Sequence, residues 1–437
     1  MATVEYRRQV GIAGEYDVVV CGGGPAGIMA AIAAARNGAR TAIVERYAFF
    51  GGTASGGLVN PISEFNKHGK RVIGGLPWEF VTRLHAKGGA IIDFPNGNVP
   101  FDPELYKLVA QEMLLEAGVK IYLHSMITDC IKDDDNRIQQ VLVATKHGLI
   151  AIGSAYFIDC TGDADLAAYA GVRMLDGGGS GSLQPASLCF ILSGVDIPSL
   201  GTILPRLENT RYFNQRVHTA LEELKEQGYQ VPNYGGPWFC SILDPDAISV
   251  NLTRCAVNPL DRESLVEAEC TLRSDMFRFI QLCKEHVSGF EHCRLLASGI
   301  QAGIRESRRI AGVHVVTGEE FLKNKHFHDT IALGAHPLDI HRAADTQQEV
   351  HFLQDCVCIP YRSLITQTHP NLLVAGRCLS ADRYASASIR VQAPVMATGE
   401  AAGTAAALCV AKAVDVQQAD ITDLIAHLEA NGAVVRT

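Results

Sequence analysis

Residues 17–45 read DVVVCGGGPAGIMAAIAAARNGARTAIVE, and this stretch restricts the fold more narrowly than any other in the chain. Val18, Val19, Val20 and Cys21 form a short apolar run that fits a strand buried on both faces. Gly22-x-Gly24-x-x-Gly27 follows and leads into an alanine-rich helix that Gly38 stops. A second buried strand, ARTAIVE, closes on Glu45. Strand, glycine turn, helix, strand and acid in this order make a dinucleotide-binding unit. Gly22 allows the tight turn, Gly24 lets a pyrophosphate reach the backbone, and Gly27 lets helix and strand pack closely. Pro25 and Ala26 open the helix whose free N–H groups and positive dipole end face the phosphates. Glu45, 18 positions after Gly27, is spaced to accept hydrogen bonds from a ribose diol.

Residues 46–57 favour FAD over NAD. Arg46 follows the acid, and YAFFGGTASGG then brings Gly51, Gly52, Gly56 and Gly57. A second glycine cluster there suits a cofactor that continues past the ribose and pyrophosphate. In this pattern the chain resembles the FAD-dependent oxidoreductases of the glutathione-reductase-like superfamily, which carry a GxGxxG, an acid and an arginine-to-GG motif. The resemblance adds Arg46, Gly51, Gly52, Thr53 and Ala54 to the expected cofactor contacts.

Further along, DPELYKLVAQEMLLEA (102–117) reads as a helix capped by Asp102, with Pro103 first and Leu105, Leu108, Val109 and Met113 on one face. VKIYL reads as another sheet strand. Three strand-like segments between 126 and 152, broken by DDDN and KHG, form a meander. The chain then returns through AYFIDCTGDADLAAYAG, a strand ending in Thr161-Gly162-Asp163 and running into a helix. The same superfamily interrupts its sheet with such a meander and resumes with a strand ending in a Thr-Gly turn beside the cofactor. That resemblance implies contacts at Ile127, Thr161, Gly162 and Asp163.

Near the C-terminus, NLLVAGR is a buried strand ending at Gly376-Arg377, and Pro394 opens a helix dense in alanine and glycine. By the resemblance, Gly376 and Arg377 approach the ribityl chain. Val395 then lies at a helix N-terminus aimed at the flavin pyrimidine, where reduction develops negative charge. Many relatives carry Gly-Asp where this chain has Gly-Arg, so Asp382 or a backbone N–H is expected to replace the ribityl acid.

Cofactor segments near 22, 52, 161, 376 and 395 require a discontinuous FAD domain, 1–180 with 350–437, and a substrate domain at 181–349, crossed at LDGGGSGSLQ (175–184). A chain of 437 residues exceeds one core in any case. The expected fold is α/β: a Rossmann-like parallel sheet with an antiparallel meander crossover, plus an inserted α+β substrate domain. RESRRI, PLDIH, IPYRSL and NLLVAGR together resemble the family called simply FAD-dependent oxidoreductases, related to fumarate-reductase flavoproteins and thiazole synthases.

Composition narrows the partners. A formal charge of −9 argues against nucleic acid. No run of about 18 apolar residues points to a membrane span, and the first residues lack a signal-peptide core, so a cytoplasmic protein with reduced thiols is expected. The thirteen cysteines include no CxxC, which removes a redox disulfide from the candidate mechanisms. HFHD (326–329) has too few further ligands to suggest a metal site.

No second GxGxxG follows another strand, so a dedicated NAD(P)H domain is not expected. Arg254 lies in a strand pattern, and Arg305, Arg308 and Arg309 lie in GIRESRRIAG, where 305 and 309 would share a helix face. These arginines can grip a carboxylate or serve as glue with Glu306, Glu263 or the FAD phosphates. His341, closing GAHPLDIH, is the candidate base or hydrogen-bond donor at the flavin. Arg390 is the candidate cation beside the flavin helix, and Arg308 completes the candidate catalytic set. The leading expectation is hydride transfer between a small polar or anionic organic substrate and flavin N5. A monooxygenase using NAD(P)H and a non-catalytic or electron-transfer flavoprotein stay open, as does a homo-oligomer.

Overall fold

Val18, Val19, Val20 and Cys21 are fully buried, as a strand covered on both faces requires. They end the strand Gly11–Cys21 in a computed structural model that describes residues 4–94, 96–175, 183–197, 207–342 and 348–436. The LDGGGSGSLQ crossing falls largely on 176–182, outside the described residues.

The main sheet has seven strands among the described residues. Across it run Lys120–Tyr122, Thr41–Val44, Gly11–Cys21, Gly148–Asp159, Ile138–Thr145 and Met126–Lys132. The first four are mutually parallel, and the last two turn back antiparallel. The third meander segment and the returning strand, read separately in the sequence, are one strand, Gly148–Asp159. Its first half pairs with the meander (Gly153 with Gln140), and its end pairs in parallel with Leu372–Val374 (Asp159 with Val374). One strand therefore belongs to both the meander and the cofactor sheet.

The helix Pro25–Arg36 crosses one face of this sheet and packs on Gln392–Lys412. Small residues bring these helices together. A Cβ on Gly399 would lie 2.1 Å from the Ala26 carbonyl oxygen, and one on Gly403 would lie 2.1 Å from that of Ala30. The 392–412 helix is long and apolar enough to cross a membrane, but 83% of its most apolar window is buried within the fold. It begins two residues before Pro394. The helix Pro103–Glu116 is capped as expected, with the Asp102 carboxylate accepting from Glu104 N at 2.7 Å and Leu105 N at 3.1 Å. Its inner face carries Tyr106, Val109, Met113 and Leu114, whereas Leu108, assigned inward from the sequence, is 41% exposed. Tyr106 takes that face by packing on Phe80 and Phe101.

A second core is built from residues 186–302. A four-stranded antiparallel sheet, ordered Tyr234–Ser241, Ile248–Thr253, Phe190–Ser193 and Arg294–Ser298, packs against the helix Arg262–His286 through Leu188, Phe190, Val250, Leu272 and Phe279. Val316, Phe321, Ile331 and Leu338 pack in the first core.

Residues 300–308 are not helical, and Arg309–Ile310 is a short strand paired with Met174–Leu175. The segment's polar groups find distant partners instead of a helical ladder. Glu306 accepts from Gln184 N at 3.1 Å, and Ser307 donates to Asp163 at 2.5 Å. Arg305 and Arg309 therefore do not share a helix face.

Candidate active site

The parallel strands place Cys21, Val44, Asp159 and Val374 at the same edge of the sheet. Side chains and loops beyond such carboxyl ends bound a crevice, and a cavity of about 310 Å³ opens there. Gly22, Gly24, Pro25, Ala26, Glu45, Arg46, Gly52, Thr53, Thr161, Gly162, Asp163, Gly376, Arg377, Arg390 and Val395, from five separate stretches of sequence, line it.

The glycine turn has the geometry its spacing implied. Gly22 has φ +101°, and a Cβ there would lie 2.5 Å from the Cys160 carbonyl oxygen. A Cβ on Gly27 would lie 1.8 Å from the carbonyl oxygen of Gly22, so only glycine lets this helix start so close to the strand. Above Gly24 the nearest atom to such a Cβ is Gly52 Cα at 4.0 Å, which leaves its cleft side open. Gly24 is also the N-cap and provides no side-chain acceptor, so the first amides of the helix have none from the cap. Unmet amides, open space and a positive dipole end fit the pyrophosphate of a dinucleotide.

Glu45 is buried in the wall of the cleft. One carboxylate oxygen accepts from Gly23 N at 2.6 Å and the other from Tyr47 N at 2.9 Å. Burial raises its pKa against these bonds. Arg46 donates to Gln301 Oε1 at 2.9 Å, and the Tyr47 hydroxyl donates to the same oxygen. This end is therefore covered by the second lobe, which adds Pro259, Leu260, Leu265 and Glu269 to the lining.

At the Thr161 turn, Asp159 accepts from Thr161 N at 3.0 Å and from its hydroxyl at 2.8 Å. Asp163 is bonded by Arg377 and Ser307. Burial works to raise Asp163, but the Arg377 charge together with the bonds from Ser307 and Arg377 and the nearby Arg46 charge holds the carboxyl low. Asp165 is pushed up to about 6 by burial and by its neighbours Asp159 and Asp163. Arg377 thus covers the Gly162 turn rather than supplying the usual ribityl acid. Asp382 does not replace that acid either: it caps the helix Arg383–Ile389 through Ala385 N at 2.7 Å.

The other end holds the start of the 392–412 helix, whose N-cap, Val391, makes no side-chain cap bond. Gln392 donates to the Val59 carbonyl at 2.6 Å. Its Oε1 and the Arg390 Nε are buried without a partner. Arg390 donates through Nη2 to the Asp339 carbonyl at 3.1 Å and comes within 4.0 Å of the Asp339 carboxylate. Behind it, His341 Nε2 meets Asp339 Oδ2 at 3.0 Å and His341 Nδ1 meets Arg254 Nη2 at 3.0 Å. A guanidinium can only donate, so Nδ1 is the acceptor and Nε2 carries the proton. Burial and the Arg305 charge hold His341 down at about 3. Burial works to raise Asp339, but the His341 bond and the cations around it hold its pKa low.

His341 is therefore one residue behind Arg390 rather than on the cavity lining. Arg308 is not gathered with them. It sits at the Thr161 turn, bonded to Asp165 at 2.5 Å and to the Asp163 carbonyl at 2.8 Å. Gly27, Gly51 and Ala54 lie beneath the lining, and Ile127 lines a neighbouring pocket of about 60 Å³ with Gly22, Val44 and Met126. Sequence reading passed over Asp339, Tyr47, Gln392 and Gln301. Asp339 stands two residues before His341 in PLDIH, Tyr47 follows Arg46, and Gln392 opens the flavin helix, so each had a local signal. Gln301 had none, being 255 positions from Arg46.

A family model described as FAD dependent oxidoreductase matches residues 17–428. Thiamine thiazole synthase of Methanococcus vannielii is 30% identical over 164 residues, covering 34% of this chain and 56% of its own. The chain spans about half the length of the curated relatives it matches. Among solved structures, a geranylgeranyl bacteriochlorophyll reductase-like protein from Thermoplasma acidophilum is similar at 15% identity, covering 95% of this chain and 83% of that one, with a TM-score of 0.44. For the p-nitrophenol 4-monooxygenase of Pseudomonas putida the values are 11% identity, 95% and 84% coverage, and a TM-score of 0.46.

Proposed function

The chain belongs to the FAD-dependent oxidoreductase family, and on that premise we propose that it transfers hydride between a small polar or anionic organic substrate and N5 of the flavin. When bound, FAD supplies the two-electron acceptor, and the protein supplies position and electrostatics. Gly22, Gly24 and the amides of the Pro25–Arg36 helix would hold the pyrophosphate, and Glu45 the ribose. Gly376, Arg377 and Val395 would line the ribityl and ring side.

The observation that carries the reading is Arg390. Its guanidinium stands at the mouth of the 392–412 helix with Nε unpartnered, and its nearest carboxylate is 4.0 Å away. A helix N-terminus and a cation side by side favour negative charge at that spot, whether on the substrate or on the ring system. His341 has both ring nitrogens engaged and is neutral at pH 7. It donates to Asp339 rather than towards the flavin, and so fixes the residue that in turn positions Arg390. Arg308 is assigned to holding the Thr161 turn.

The test is anaerobic reduction of the FAD-loaded protein, followed by its visible spectrum, with NADH, NADPH and then hydroxy acids, amino acids and sugars. Bleaching by one organic substrate is the expected result, with Arg390→Met slowing it by at least about 100-fold, as for loss of one preorganised electrostatic contact. Bleaching by NADPH alone, with oxygen uptake once air is admitted, moves the assignment to a monooxygenase. A flavin that no compound reduces makes the protein a carrier or sensor.

A further inference from the structure

Most buried or half-buried arginines in this molecule have a carboxylate of their own. Arg308 has Asp165, Arg309 has Glu306, Arg362 has Asp329 and Arg377 has Asp163. Arg305 does not. Its Nη1 donates to the Pro185 carbonyl at 2.7 Å and to Ser187 Oγ at 2.8 Å, and its Nη2 lies 3.5 Å from Asn251 Oδ1. All three acceptors are neutral. Among the described residues Arg390 has only the Asp339 carboxylate within 4.0 Å, and Asp339 is already bonded by His341 and Gln348.

The charges near this point do not balance among the described residues. Arg305 and Arg390 bring two positive charges against the single negative charge of Asp339. Arg254 has further partners and is not needed in the count. His336 and His341 add nothing at neutral pH, since burial pushes both down. Arg305 feels the imbalance: burial and the charges of Arg390 and Arg254 lower its pKa to about 10. Arg305 as a whole residue is of intermediate burial. Two further donors, Arg390 Nε and Gln184 Nε2, are buried with no acceptor. A group of donors short of one negative charge and of acceptor oxygens is complementary to a carboxylate. A phosphate dianion would overshoot the charge by one.

We propose that Arg305 and Arg390, with Ser187, Asn251 and Gln184 around them, form a subsite for the carboxylate of a small organic acid. The inference rests on the substrate-side reading of this end of the cleft, and it makes the substrate a carboxylate rather than a sugar or a neutral alcohol.

The test is binding to the FAD-loaded full chain, read as a change in the flavin visible spectrum, with acetate, glycolate, benzoate and succinate set against acetamide, benzamide and inorganic phosphate. At least one acid is expected to give a saturable change that its amide does not. Arg305→Gln is expected to weaken it by at least about tenfold, as for a charged hydrogen bond. Asn251→Asp is expected to do the same with Arg305 still present, by giving it an internal partner, and FAD content with the thermal midpoint verifies that both variants fold. Equal response to acids and amides, response to phosphate alone, or wild-type binding in both variants would overturn the subsite. Neutral compounds that bleach the flavin while no acid binds would sink the subsite and leave hydride transfer standing. Acids that bind to a flavin nothing reduces would do the reverse.

Discussion

Glu400 is a carboxylic acid in the middle of an alanine-rich helix, and its surroundings decide its charge. It is buried, and one oxygen accepts from Leu76 N at 3.1 Å at the start of the helix Gly75–Ala86. Burial raises its pKa from 4.5 to about 8, against that hydrogen bond and with the charge of Glu79 adding to the rise. The native state therefore keeps a proton that the unfolded chain releases above about 4.5, and stability falls as pH rises from there to about 8. The local slope approaches at most about 1.4 kcal/mol per pH unit. Glu400→Gln keeps an acceptor for Leu76 N and removes the titration. Thermal midpoints of wild type and variant should be close near pH 5 and diverge towards pH 8, with the variant higher. A constant gap across that range would mean that Glu400 does not titrate there. Nothing local in MATGEAAGTAAA tells of this environment, because Leu76 is 324 positions away. The glycines of the dinucleotide turn were legible for the opposite reason: their constraints act within a few residues.

At the scale of elements, packing between helices makes the sharper prediction. The helices Pro25–Arg36 and Gln392–Lys412 meet backbone to backbone at Ala26 and Ala30 against Gly399 and Gly403. Gly403→Ala places a Cβ 2.1 Å from a carbonyl oxygen that has no rotamer by which to move away. The helices must separate, at a cost of about 3 kcal/mol, the upper range for overpacking a core. The first helix carries the phosphate turn, so the variant should lose both thermal stability and FAD content. Unchanged values for both would mean that the two helices are not in this register. Elements were legible where a cap and a period coincided, as at Asp102-Pro103. The 300–308 segment was not. Its arginine spacing imitates a helix, but Glu306 and Ser307 spend their hydrogen bonds on Gln184 and Asp163, more than 100 positions away. The single strand Gly148–Asp159 was split in the sequence because its two halves have different partners, and only the sheet reveals their continuity.

For the whole molecule, the two cores meet across the cleft. Ile300 N donates to the Gly56 carbonyl at 2.9 Å, Glu269 accepts from Ala302 N at 2.6 Å, and between them Gln301 reaches Arg46 and Tyr47. The order of segments implied a cofactor domain with an inserted unit, but it did not imply that the unit would close over the Glu45 end of the cleft. That closure makes cofactor retention a property of both lobes. Gln301→Ala leaves the glycine turn, Glu45 and the Arg390 end untouched and removes the acceptor shared by Arg46 and Tyr47, a loss of about 1 kcal/mol in total where the pair is partly exposed. FAD should therefore leave the variant roughly five times faster, by the ordinary conversion of free energy to rate. The stabilisation that added FAD gives the fold should shrink in step, since it scales with the logarithm of ligand over Kd. The rate of reduction per bound flavin should not change, because Gln301 sits at the opposite end from Arg390. Stopped-flow release of FAD and anaerobic reduction of the same preparation separate the two effects. Slower reduction with normal release would place Gln301 in the chemistry and undo the assignment of the two ends of the cleft.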